Sequence, residues 1–221
     1  MGKKDIEEKR FMQIPENFAD LCNGVLFGGK QVVKPEELEY NPTEVLKDKS
    51  SVMSDVAKRW KRNNTVISVI EVENQSQTDY AMVIRNVNMI ASRYMNQLSL
   101  KQDASRRRRG KRPGSIKATF ISGFAKDDLL IPVIVIVINY DENEWDGKRK
   151  LIDMLDLRGF PKECERYLLN YEMVLYDYNE YENFDVFKGE LRTVFEVLKL
   201  QKKKEELLQY VTNRENPLPI T

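Results

Sequence analysis

The chain has 221 residues, 41% of them hydrophobic and 32% charged, enough for one substantial core and typical of a folded rather than a disordered protein. Its 36 basic and 35 acidic residues nearly cancel, so global charge points to no partner, while the absence of histidine excludes His-based zinc sites, a Ser-His-acid triad and histidine general-base chemistry. Two distant cysteines, Cys22 and Cys164, form neither a disulfide framework nor a zinc motif, and the polar N-terminus has no apolar signal core, so a cytoplasmic location is expected.

Residues 1–12 are mainly charged and precede or begin the first helix. From Pro15 to Phe27 the apolar positions Phe18, Leu21, Cys22, Val25 and Leu26 recur at helical spacing, with proline acceptable at the start and Gly28-Gly29 as a stop. Lys34 to Asp48 is charged and interrupted by Pro35 and Pro42, which predicts a connection with short extended or helical pieces. Residues 54–61 and 65–73 flank Arg62-Asn63-Asn64, a turn signal, and together predict an antiparallel hairpin. The period then changes: Val83, Val87, Ile90 and Tyr94 share one face of a helix expected over Thr78–Leu98.

Gln102 to Ser115 has few apolar residues and contains Gly110, Pro113 and Gly114, so a basic loop is expected across 101–117, followed by a short strand within Lys117–Phe124. The longest apolar run, Leu129–Ile138, is ten residues long and includes Pro132, too short to cross a membrane as a helix. Its continuous Ile and Val content predicts a central strand, covered on both faces, over Leu130–Tyr140. Beyond it, Leu151–Leu157 and Pro161–Leu169 read as short helices, Tyr171–Tyr176 as an edge strand, and 187–211 as a C-terminal helical region. Most of the tyrosines of this part, Tyr167, Tyr171, Tyr176, Tyr178 and Tyr181, are expected to cover the sheet edge or a helix junction rather than to stack on bases. This order of elements predicts a single α/β domain over residues 1–221.

The hairpin carries the chemistry. Side chains alternate along a strand, so Glu71, Glu73 and Gln75 point the same way, and Asp55 approaches them if it lies on the partner strand. Asp55 and Glu73 supply hard oxygen ligands suited to Mg²⁺ or Mn²⁺, and the Asn74 carbonyl could add another. Such an ion lowers the pKa of bound water and offsets charge on a phosphoryl group, while the Gln75 amide can orient a water or a phosphate oxygen. A solvated strand edge or an ordinary salt bridge accounts for the same acids. Arg85, on the following helix, either reaches this site to bind a phosphate or pairs with Asp79 or Glu71.

Residues 101–117 hold eight basic side chains, including Arg106, Arg107, Arg108, Arg109, Lys111 and Arg112, against the single acid Asp103. The Arg106–Arg112 cluster would attract a DNA backbone in a salt-dependent way, and without interleaved aromatics or a base-reading helix it favours non-specific binding; a solvated loop is the alternative.

Ile70-Glu71-Val72-Glu73-Asn74-Gln75-Ser76-Gln77-Thr78-Asp79-Tyr80-Ala81-Met82, preceded by Ser54-Asp55-Val56-Ala57-Lys58, resembles the active-site region of the Rpn/YhgA-like transposase-associated nucleases of the PD-(D/E)XK superfamily. Further similarity lies in Phe18–Phe27, in Leu130-Ile131-Pro132-Val133-Ile134 and in Tyr140 to Trp145-Asp146-Gly147, so that it covers most of residues 11–200. The resemblance implies a restriction-endonuclease-like mixed sheet flanked by helices and a Mg²⁺- or Mn²⁺-dependent DNA endonuclease associated with recombination or mobile elements. By position, Asp55 and Glu73 become the metal ligands and Gln75 takes the place that lysine holds in the wider superfamily. Asp20 or Asn23, on the first helix, becomes an accessory polar group, and Glu71 an accessory acid. Loss of the lysine charge makes slow or absent turnover the main alternative: a DNA-associated or protein-interaction domain that retains the fold, with homodimerisation open under either.

Overall fold

The N-terminal segment Lys3–Gln13 is a run of good helix formers and folds as α1, separate from the helix expected after it. Helix α2, Pro15–Phe27, starts with proline in its first turn, where no amide donor is needed. It ends at Gly28, whose left-handed conformation (φ 59°) closes the last turn. Gly24 lies so close to the Phe187 ring that any side chain there would collide with it. The computed structural model describes residues 3–41, 55–63, 65–109 and 123–213.

Five strands form one mixed sheet in the order β1 (Leu38–Tyr40), β2 (Val56–Arg62), β3 (Thr65–Gln75), β4 (Val133–Asn139) and β5 (Val174–Asp177). The first three are antiparallel neighbours, and β3, β4 and β5 are parallel. The expected hairpin is therefore β2–β3, closed where Arg62 pairs with Thr65 around Asn63, whose φ of 50° suits asparagine. Parallel pairing of β3 with β4 requires a long crossover, and α3 (Met82–Arg109) occupies that connection. The helix runs beyond the expected Leu98. Lys101–Arg109, anticipated as part of a loop, form its last turns, because Gln, Ala and Arg favour helix and the first breaker is Gly110. The strand expected within Lys117–Phe124 lies, except for its last two residues, outside the described residues.

Past β4 the two short helices are smaller than their sequence spans suggest: a single 3₁₀ turn at Ile152–Met154 and one α-turn, α4, at Lys162–Glu165. The C-terminal region forms two helices, α5 (Glu190–Leu200) and α6 (Lys204–Thr212). Among the described residues no helix is long and apolar enough to cross a membrane.

The larger core fills the face of the sheet that carries Ile70, Val72, Ile136 and Ile138, against Phe18 and Leu21 of α2 and Leu191 and Phe195 of α5. Tyr176 and Tyr178 are buried in it, and the Tyr176 ring packs edge-on against Phe187. A smaller core lies on the other face, where Met82 and Val83 of α3 meet Val137, Trp145 and Met173. The acids of β3 point toward this second face.

Candidate active site

Register brings the acidic residues together. Val56 pairs with Val72 and Ala57 with Glu71, so Asp55, one residue before β2, stands beside Glu73. Each carboxylate is held by a backbone amide of the facing strand end: the Asp55 amide donates to Glu73 Oε1 (3.1 Å), and the Asn74 amide donates to Asp55 Oδ2 (2.9 Å). These bonds orient both carboxylates at the end of the hairpin, where the antiparallel ladder stops and the backbone donors would otherwise lack partners.

The carboxylates line a cleft of about 280 Å³, together with Glu8 and Lys9 of α1, Asn74, Gln75, Ser76 and Arg85. Lys9 Nζ lies 2.7 Å from Asp55 Oδ1. Arg85 lies at the cleft and makes the pairing with Asp79 that was one of the two expectations for it: Nη1 pairs with Asp79 Oδ2 at 2.6 Å, and Nη2 approaches Glu73 Oε2 at 3.7 Å. Glu73 is 3% exposed, and burial followed by the neighbouring Asp55 carboxylate pushes its pKa up to about 8, against the opposing pull of Arg85. Asp55 is more open, with 18% of its side chain exposed. Gln75 takes part through its backbone as well, its carbonyl accepting from the Tyr140 amide at 2.7 Å and tying the end of β3 to β4.

The remaining expected site residues lie elsewhere or do other work. Asp20 is buried, and its two oxygens accept from the amides of Lys188 (2.8 Å) and Gly189 (2.9 Å), which fastens the chain just before α5 to α2. Asn23 receives the Val32 and Val33 amides and donates to the Val33 carbonyl, fastening the chain that leaves α2. Neither lines the cleft, because both sit on α2, which packs into the larger core. Glu71 is fully buried and forms an ion pair with Arg93 of α3, so it is a closed structural charge. Arg106 and Arg107 are exposed near the end of α3, Arg108 and Arg109 follow within the helix, and Lys111 and Arg112 lie outside the described residues. Arg106 is 21 residues from Arg85 along that helix, about 30 Å at the helical rise, so α3 holds the described basic residues away from the cleft.

Sequence reasoning missed Glu8 and Lys9. Their helix has no apolar stripe to reveal it; the available signal was an unbroken run of Lys, Glu and Arg leading into the apolar pair Phe11-Met12.

No family model matches the chain, and neither a curated protein nor a solved structure does. Chemical fit to a metal therefore rests on the cleft itself. Among the described residues no group of three or more His, Cys, Asp or Glu is placed to hold an ion. Two adjacent carboxylates suit an ion such as Mg²⁺, which keeps several waters and takes one or two carboxylates. In the same stretch of β3, the side-chain amide of Asn74 is buried with no hydrogen-bond partner among the described residues.

Proposed function

We propose that this chain is a Mg²⁺- or Mn²⁺-dependent DNA endonuclease of the PD-(D/E)XK superfamily, most similar to its Rpn/YhgA-like branch. It would have a restriction-endonuclease-like core and act in the cytoplasm on recombination or mobile-element DNA. The observation that carries the reading is the adjacency of the Asp55 and Glu73 carboxylates, each fixed by a backbone amide, in one cleft, where the pKa of Glu73 is pushed up to about 8 by burial and by its neighbour. Two acids held this close in a half-dry site favour a divalent cation as their shared counter-charge. Asp55 and Glu73 would hold the ion, which when bound supplies an activated water and charge neutralisation at the phosphate.

The chain's own side chains would do the rest. The two backbone amides fix the carboxylates before substrate arrives, so that little reorganisation is needed during reaction. Gln75 would orient a water or a phosphate oxygen through its amide. Arg85, already 3.7 Å from Glu73, would face the scissile phosphate. The Arg106–Arg112 cluster would bind the DNA backbone, with Arg106 about 30 Å along α3 from Arg85, roughly nine base pairs away.

One feature of the cleft favours a second reading, a DNA-associated or protein-interaction domain that retains the fold without turnover. Gln75 supplies no positive charge at the position where the superfamily has lysine, so nothing on β3 itself stabilises a developing anion. Cleavage of supercoiled and linear DNA in Mg²⁺ or Mn²⁺ separates the two. The nuclease reading expects metal-dependent nicking that falls by at least about 100-fold in Glu73→Ala, by analogy with the loss of groups that support a metal. Nicking that persists unchanged in that variant overturns the site. Salt-sensitive DNA binding by a parent protein that never cuts supports the second reading.

A further inference from the structure

The four oxygens of the acidic pair divide into two kinds. Asp55 Oδ2 and Glu73 Oε1 accept from peptide amides and are anchored to the backbone. Asp55 Oδ1 and Glu73 Oε2 instead face side-chain cations, Lys9 at 2.7 Å and Arg85 at 3.7 Å. An incoming cation can displace a side chain far more readily than it can displace the sheet backbone. The two side chains differ in turn: Arg85 is clamped by Asp79 at 2.6 Å, whereas Lys9 reaches Asp55 from α1 with 29% of its side chain exposed. Lysine carries a compact charge on a flexible four-carbon stem, so its ammonium can swing off Asp55 without moving the helix.

We propose that Lys9 is the resident counter-ion of the acidic pair: it holds Asp55 Oδ1 in the metal-free protein, is displaced from that oxygen by a divalent cation, and then offers its ammonium to a DNA phosphate in the cleft. The inference rests on the nuclease reading of the same site and adds a residue to it. Lys9 thereby restores, from another element, a mobile positive charge to a cleft whose β3 position 75 is neutral. The exchange conserves charge complementarity at each stage, with lysine on the carboxylate before the ion arrives and on the phosphate afterwards.

Calorimetric titration of Mn²⁺ into the full-length, metal-free protein tests the exchange without any need for turnover. Lys9→Met and Lys9→Gln should bind Mn²⁺ about tenfold more tightly than the parent, the scale of one charge-assisted hydrogen bond no longer competing. Lys9→Arg, which keeps the charge, should bind it as the parent does, and matched thermal unfolding of the three variants excludes a folding defect. For a short duplex in Ca²⁺, the slope of log affinity against log salt should fall by about one in Lys9→Met. Equal or weaker Mn²⁺ binding by both neutral variants, no Mn²⁺ binding by any protein, or an unchanged salt slope overturns the proposal. If parent and Lys9→Met cut DNA alike and bind Mn²⁺ equally, the counter-ion role fails and the nuclease reading stands. If the neutral variants bind Mn²⁺ more tightly and lose the salt increment, but no protein cuts, the counter-ion role stands and the nuclease reading fails.

Discussion

Glu71 and Glu73 lie two residues apart on the same strand and face the same helix, yet they have different fates. Glu71 sits mid-strand beside Val135, and the Arg93 guanidinium closes on it where both are buried. Glu73 sits where the strand meets the cleft, beside a second carboxylate, and the arginine nearest to it is drawn aside by Asp79. A buried charge closed by a hydrogen-bonded partner is part of the scaffold. A buried carboxyl left beside a second acid gives up its proton only against a high pKa, and a cation that binds there lets both acids ionise.

The largest expected effect breaks the closed pair. Arg93→Ala should destabilise the protein by about 3–5 kcal/mol in urea unfolding, because Glu71 would be left charged in a dry setting. Replacing both members, as Glu71→Met with Arg93→Met, should recover most of that loss; a double variant as unstable as the single one would show that Arg93 does not serve as the counter-charge of Glu71. Glu73→Gln should go the other way and leave stability at neutral pH equal or higher.

That contrast sharpens with pH. In the fold Glu73 titrates near 8, above the 4.5 of an ordinary glutamate, so between those values the native state binds more protons than the unfolded chain. Stability in EDTA should therefore fall as pH rises from about 5 to about 8, by up to about 1.4 kcal/mol per pH unit from this group, and level off above 8. Glu73→Gln should lack this component in chemical unfolding across the same range. An identical pH profile in parent and variant would mean that Glu73 is not held uncharged by its surroundings.

A smaller effect separates scaffold from site at α2. Asp20→Ala, which leaves two part-buried amides without their acceptor, should cost about 1–3 kcal/mol and leave Mn²⁺ affinity unchanged, since Asp20 binds the Lys188 and Gly189 amides just before α5 and not the cleft. Smallest of all, the double substitution Arg106→Ala with Arg107→Ala should leave stability within about 0.5 kcal/mol of the parent. It should also lower the salt slope of duplex binding by about two without changing Mn²⁺ affinity, which places those arginines on DNA and off the metal.

Much of this arrangement was legible in the sequence because it follows from local periodicity. The hairpin around Asn63, the helix Pro15–Phe27 and the Val-Ile strand all appear near their expected positions, and alternation alone placed Glu71, Glu73 and Gln75 on one face. What failed were judgements about partners and endings. The arginine run is helical as far as Arg109 because low apolar content does not prevent a helix whose residues favour one. Asp20 and Asn23 had suitable chemistry for a site, but their helix turns them toward α5 and the Val32-Val33 backbone. Lys9 gave no sign, because its distance from Asp55 in the chain carries no information about which helix covers the end of the sheet.

By itself the sequence determined the elements that a two-residue or 3.6-residue period writes into a chain, along with the kinds of side chain available for chemistry and the absence of histidine from all of it. Only the tertiary structure decided that Asp55 stands beside Glu73, that Arg93 closes Glu71, and that a lysine from α1 completes the cleft. Each of those outcomes depends on strand register or on a contact between residues far apart in the chain. Such contacts are set by how the faces of several elements pack together, which the pattern of any one element does not contain.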